Sequence, residues 1–196
     1  MSASGTRNLL LFTTVSSVWA VVLGFIGPFY VLQVERLSGG MEKLGIAFSI
    51  TVLVQSATTY FAGRFSDRLG RKPFLFLTAY VDAVVLFLYT IIQETYQLYI
   101  LQALLGVTNG IVGTITTSIL GDMTIREKRG AMVGKFNAVV SIAAAAGLAL
   151  GGYLVKMYGL QYLFYLASIV VALSTILLVF IREDSLMTTG SQPSSD

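Results

Sequence analysis

Gly63-Arg64-Phe65-Ser66-Asp67-Arg68-Leu69-Gly70-Arg71-Lys72 separates two long apolar runs, Leu44–Phe65 and Pro73–Ile92. Four cations, one acid and two glycines fill a connection too short to hold a domain. Charged side chains cost several kcal/mol in the hydrocarbon of a bilayer, on the order of 3 for one at its centre. The connection therefore stays at a membrane surface, and it fixes which side that end of the helix pair faces. The fold follows from that reading.

The rest of the composition agrees. Of 196 residues, 55% are hydrophobic and 12% charged, whereas soluble domains carry about 25% charge. The chain is a membrane protein by composition. Its net charge of +3 comes from cations gathered in connections, and no basic face with interleaved aromatics points to nucleic acid. Cysteine and histidine are both absent, which excludes disulfides and the usual zinc sites. No nucleotide-binding loop, metal-ligand spacing or nucleophile constellation is present, so neither an enzyme nor a cofactor is expected. The apolar run after Arg7 continues to Leu32. That is too long for the 7–15-residue core of a secretory signal, and it reads as an uncleaved span.

A span needs about 20 apolar residues. Six segments qualify: Leu9–Leu32, Leu44–Phe65, Pro73–Ile92, Tyr96–Leu120, Ala131–Tyr153 and Tyr162–Ile181. The expected organisation is an N-terminal tail over 1–8, a six-helix domain over 9–184 and a disordered polar tail over 185–196. Met1 and that tail read as natural ends. Pro73 suits the first turn of its helix, and Pro28 is expected to kink or thin the end of the first span. Ten cations lie on the side of the N-terminus: Arg7, Arg64, Arg68, Arg71, Lys72, Arg126, Lys128, Arg129, Lys135 and Arg182. Only Arg36, Lys43 and Lys156 lie on the other. Both termini are therefore expected on the cytoplasmic side.

The six spans differ in their faces. At 100° per residue, the fourth collects Gln102, Gly106, Asn109, Gly110, Gly113 and Thr117 on one stripe. The first does so with Thr13, Ser17, Ala20, Gly24, Gly27 and Pro28, the second with Ser49, Ser56, Tyr60 and Gly63, and the fifth with Asn137, Ser141, Ala144, Gly151 and Gly152. Small residues permit close helix packing in lipid, and polar ones face neighbours or a wet cavity. The third and sixth spans are more uniformly apolar, Asp82 being the main exception, and are expected to face lipid. Asp82 has two readings: a proton or cation coupling site, or a protonated carboxyl bonded to a neighbour such as Thr78.

The opening stretch closely resembles the signature loop between helices 2 and 3 of the major facilitator superfamily, Gly-x-Leu-x-Asp-Arg-x-Gly-Arg-Arg/Lys. Gly63, Asp67, Arg68, Gly70, Arg71 and Lys72 match it, and Phe65 replaces the leucine. The resemblance implies an all-α integral membrane fold, here a single six-helix half made of two inverted three-helix repeats. It also implies that the first and fourth helices line a cavity while the second and fifth meet another half. The third and sixth are then peripheral. Asp67, Arg68 and Arg71, with Asp122 and Arg126, are implied to form a charge network that latches the halves. Gly63, Arg64, Gly70 and Lys72 complete that loop. The alternative is a solvated loop that only sets orientation.

Two further family patterns are incomplete: Gln102 stands four before Gly106 where an arginine is common, and Gly147-Leu148-Ala149-Leu150-Gly151-Gly152 lacks its proline. The first span has no acid between Arg7 and Glu35. All three weaken a proton-antiport reading. Substrate candidates near mid-membrane are Ser17, Trp19, Gln102, Asn109 and Thr117, with Gln55 an outside choice; packing accounts for each almost as well. The expectation is a half-size secondary transporter of a small solute in a prokaryotic inner membrane. It would work by alternating access as a homodimer that rebuilds twelve helices. The alternatives are one half of a heterodimeric carrier, a truncated carrier and a non-transporting scaffold.

Overall fold

The computed structural model describes residues 3–38, 40–124, 127 and 129–180, without the side chains of 3–6, 38, 65–69 and 123. Seven helices occur among them: α1 (Ala3–Ile26), α2 (Phe29–Ser38), α3 (Met41–Leu69), α4 (Lys72–Leu88), α5 (Thr95–Met123), α6 (Arg129–Tyr158) and α7 (Leu160–Val179). The tail expected over 185–196 lies outside the described residues.

The first expected span is divided into α1 and α2 at Gly27-Pro28. The last α1 bond runs from the Gly27 N–H to the Leu23 carbonyl at 2.8 Å. Pro28 brings no N–H and its ring displaces the carbonyl four residues earlier, so the helix breaks there and restarts at Phe29. The second span is longer than expected, and its helical backbone continues through Asp67 and Arg68 to Leu69. It ends at Gly70, whose φ of 85° and ψ of 159° suit glycine almost alone. Gly159, with φ 84° and ψ 168°, turns α6 into α7 in the same way.

Among the described residues, five helices are long and apolar enough to cross a membrane: α1, α3, α5, α6 and α7. α4 has 17 residues, or about 25 Å at 1.5 Å per residue, the short end of the spanning range. The helices pack in a consistent pattern: α1 lies on α6 and α7, α5 lies on α3 and α4, and α4 lies on α7. Glycines make the two tightest crossings. A Cβ on Gly106 would come within 2.7 Å of the Thr51 carbonyl, and one on Gly110 within 2.8 Å of the Gln55 carbonyl, so α5 presses onto α3 backbone to backbone. At the other crossing Gly24 faces the Ala144 carbonyl and Gly147 the Val21 carbonyl. In lipid such close approach gains dispersion contacts where no hydrophobic force separates helix from solvent.

Two apolar clusters fill the bundle. One, around Phe12, Leu75, Ile119, Phe136 and Leu178, lies toward the end holding the α3–α4 turn. The other, around Tyr30, Tyr89, Leu98 and Phe164, lies toward the opposite end. α4 and α7 expose large apolar residues outward, among them Leu77, Tyr80, Leu173 and Ile176. α3 and α6 are different. Only 6% and 11% of their most apolar windows are buried, against 28%, 39% and 33% in α1, α5 and α7. Their open faces carry Ser49, Ser56, Thr59, Asn137 and Ser141 among exposed apolar residues such as Leu53, Tyr60, Ile142 and Leu150.

Candidate functional site

Where the two apolar clusters meet, α1, α4, α5 and α7 leave a cavity of about 130 Å³. Its walls are aliphatic, from Val22, Leu23, Ile26, Leu86, Leu105, Val112 and Val171, apart from Trp19, Asp82 and Asn109. Those three come from α1, α4 and α5, so the fold brings the coupling candidate and two substrate candidates to one place. The Trp19 indole N–H donates to Ser174 Oγ at 2.8 Å, which fixes the ring and uses its only donor. The Asp82 carboxyl meets the side chain of Thr108, while its Oδ1 is buried without a hydrogen-bond partner. The Thr78 hydroxyl, the neighbour expected for it, donates to the Leu75 carbonyl within α4 at 3.1 Å.

A second, more apolar cavity of about 180 Å³ shares Trp19, Leu23 and Val112 with the first. Phe12, Val15, Leu75, Phe136, Val140 and Leu178 form most of the rest, with Ser16 and Thr116 its hydroxyl-bearing residues. The Trp19 ring thus stands between two adjoining spaces.

The remaining substrate candidates lie elsewhere. Gln102 is buried at the α3–α5 crossing, where its Oε1 and its carbonyl oxygen both face Thr51 Oγ1. Gln55 sits on the same crossing, its carbonyl against Gly110. Ser17 donates back to the Thr13 carbonyl at 2.8 Å. Thr117 is exposed and donates to the Gly113 carbonyl. Ser174 and Thr108 escaped the sequence reading. The few hydroxyls of the apolar sixth span, Ser168, Ser174 and Thr175, were the available signal for the first, whereas Thr108 lies beside the α5 stripe and had none.

At the charged end, Arg71 pairs with Asp122 and so ties the α3–α4 turn to the C-terminus of α5. Lys72 Nζ donates to the Val179 carbonyl at 2.9 Å, closing the C-terminus of α7. Arg129 Nη2 donates to the Gly121 carbonyl at 2.9 Å and its Nε to Thr124 Oγ1 at 3.3 Å, closing α5. Cations suit helix C-termini because unpaired carbonyls leave partial negative charge there. Asp122, on such a terminus, is held by Arg71 across the turn. Arg64 is exposed, and Gly63 lies 3.7 Å, as a built Cβ, from Thr114 Cγ2. The side chains of Asp67 and Arg68, and Arg126 altogether, lie outside the described residues.

A bundle of apolar helices with its charged side chains gathered almost entirely at the helix ends and a small polar site between helices defines a multi-pass integral membrane protein. The family model for the Major Facilitator Superfamily matches residues 8–194, and the chain belongs to that family, one of transporters and not of enzymes. It is 32% identical over 183 residues to the Multidrug resistance protein MdtG of Dickeya zeae, covering 90% of this chain and 45% of that protein. The MdtG of Proteus mirabilis is 36% identical over 165 residues, covering 82% and 41%. The chain thus spans about half the length of these curated relatives. A third relative differs in proportion. The uncharacterized MFS-type transporter YitZ of Bacillus subtilis is 28% identical over 154 residues, covering 79% of this chain and 94% of YitZ.

Proposed function

We propose that this chain is a half-size secondary transporter of a small solute, and that two copies rebuild a twelve-helix carrier operating by alternating access. The observation that carries the proposal is the bareness of α3 and α6. Two apolar helices barely buried by their own chain, with serine, threonine and asparagine on the open side, suit a protein neighbour better than lipid. The family's two halves are related by an axis along the membrane normal, so a homodimer needs no inverted subunit. α4 then completes six spans. The packing pattern supports two three-helix repeats. Exchanging the first three spans for the last three turns α3 on α5 into α6 on α1, α4 on α5 into α7 on α1, and α4 on α7 into itself. The smaller α6–α7 and α2–α3 contacts lack a counterpart of similar extent. Gly70 and Gly159, with nearly equal backbone angles, occupy equivalent turns.

In this reading the substrate sits at Trp19, Asp82 and Asn109, and the Arg71–Asp122 pair belongs to a latch between facing states. The surplus of cations at the loop end orients it, with both termini, toward the cytoplasm of a prokaryotic inner membrane. The relatives that are twice as long favour one alternative, in which a different six-helix half is the partner. Native mass spectrometry of the purified protein from lipid nanodiscs, followed by solute flux in liposomes, tests the reading. A dimer with flux is expected. A monomer, or a dimer that moves nothing, overturns it and leaves the heterodimer or the scaffold.

A further inference from the structure

We propose that Tyr30, Tyr89 and Gln102 enclose buried water at the end of the bundle opposite the α3–α4 turn, and that this water helps tie α2 to α4 and α5. The site is separate from the Asp82 cavity and owes nothing to the transport reading.

Placement is the first argument. α2 is a helix of ten residues, set off from α1 by the break at Pro28. It contributes Tyr30 and Gln33, while Tyr89 ends α4 and Gln102 lies on α5. None of the four is more than 4% exposed. Leu86 and Leu105 line the Asp82 cavity, and Tyr89 and Gln102 stand about one turn beyond them. An aliphatic wall therefore divides the two places. The Tyr30 and Tyr89 rings meet edge to face with centroids 5.8 Å apart; Phe48 packs on the first and Phe164 on the second.

Hydrogen bonding is the second. Gln33 Nε2 donates to the Tyr89 carbonyl at 2.9 Å, satisfying an acceptor that a helix C-terminus leaves free. That bond sets the orientation of the amide, since the flipped form would oppose two oxygens. Gln33 Oε1 is left buried without a partner, and so are the hydroxyls of Tyr30 and Tyr89. The Tyr30 hydroxyl faces the side chains of Gln102 and Tyr89, yet it bonds to neither. Gln102 Oε1 is engaged by Thr51 Oγ1. Polar groups that face one another without bonding are the arrangement a bridging water fits. One molecule can accept from one phenol and donate to the other, and Gln33 Oε1 is an acceptor available to a second.

Chemistry is the third. Phenols and carboxamides are neutral, so an ion would give up its hydration here and meet no opposite charge. Water both donates and accepts, and it matches the mixed capacity of the set.

The test is X-ray radiolytic labelling of the purified protein in lipid nanodiscs, started just after mixing with heavy-oxygen water and read residue by residue by mass spectrometry. Radicals born on bound water oxidise the side chain beside it. Tyr30 and Tyr89 should be hydroxylated as readily as the exposed Tyr96, but with light oxygen from water already inside, while buried Phe25 stays unmodified. Tyr89→Phe removes one hydroxyl and keeps the ring. It should lower labelling at Tyr30 and speed amide hydrogen exchange in α2 by about two- to tenfold, with α7 unchanged. The sign is diagnostic. An orphaned hydroxyl is a cost, so losing it without water present would leave exchange in α2 unchanged or slower. No labelling above Phe25, heavy oxygen incorporated as fast as at Tyr96, or unchanged or slower exchange in Tyr89→Phe overturns the proposal. Should that variant fail to fold, the labelling of the unsubstituted chain decides alone.

Discussion

At the scale of single residues, the Arg71–Asp122 pair and Asp82 make opposite demands. Arg71 and Asp122 are 15% and 36% exposed, so water screens their attraction, and such pairs contribute about 0.2–1 kcal/mol. A double-mutant cycle of Arg71→Gln and Asp122→Asn, read by thermal unfolding in detergent, should therefore give a coupling of no more than about 1 kcal/mol. The latch role predicts a larger effect on conformation than on stability. Asp122→Asn should change the labelling of a single introduced cysteine at the loop end; labelling identical to the parent would leave the pair as a topogenic feature alone. Asp82 is enclosed, and it lines a cavity with no other ionisable side chain among the described residues. If coupling runs through that carboxyl, Asp82→Asn should flatten the dependence of transport rate on pH, and an unaltered profile would sink the idea.

At the scale of helices, the glycines divide into those that touch and those that do not. Gly106 has Thr51 and Val54 within 3 Å of a built Cβ, whereas Gly113, two turns further along α5, has nothing within 4 Å. Gly106→Ala should push α5 off α3 and destabilise by about 1–3 kcal/mol. Gly113→Ala should be neutral or gain up to about 1 kcal/mol from helix propensity. Melting temperatures of the two variants in one detergent check the contrast, and equal losses would mean that the crossing is looser than described. The same stripe shows what the sequence could and could not say. Gln102 and Asn109 lie seven residues apart, nearly two full turns, so periodicity puts them on one face. Periodicity does not say which neighbour covers each end of that face. α3 crosses over Gln102 and seals it with Thr51, but leaves Asn109 open to the cavity. Asp82 was legible as an acid inside a span, and its position beside Trp19 was not, because even a peripheral helix turns one side inward. The charged stretch was legible as the break between two helices. Its last helical residues were not, since Asp67 and Arg68 read as loop by charge while the backbone keeps helical bonding to Leu69.

At the scale of the whole molecule, the absence of cysteine makes the proposed assembly directly testable. If a second copy covers the open sides of α3 and α6, paired cysteines there should cross-link between subunits, and cysteines on the lipid side should not. In the family's arrangement the second helix of one half meets the fifth of the other. Ser56→Cys on α3 and Ser141→Cys on α6 are therefore the natural pair; both positions are exposed in the single chain. Leu77 and Leu173, 56% and 60% exposed on α4 and α7, supply the controls as Leu77→Cys with Leu173→Cys. Mild oxidation in native membranes should convert the serine-derived pair to a band of twice the mass and leave the leucine-derived pair monomeric. Two disulfide-competent positions need Cα atoms within about 7 Å, so a band from α3 and α6 reports a packed interface, with random collisions appearing in the control as well. Equal bands from both pairs would mean collision only. No band from the first pair would leave α3 and α6 to a partner of different sequence, and expression with a tagged second half would then recover it.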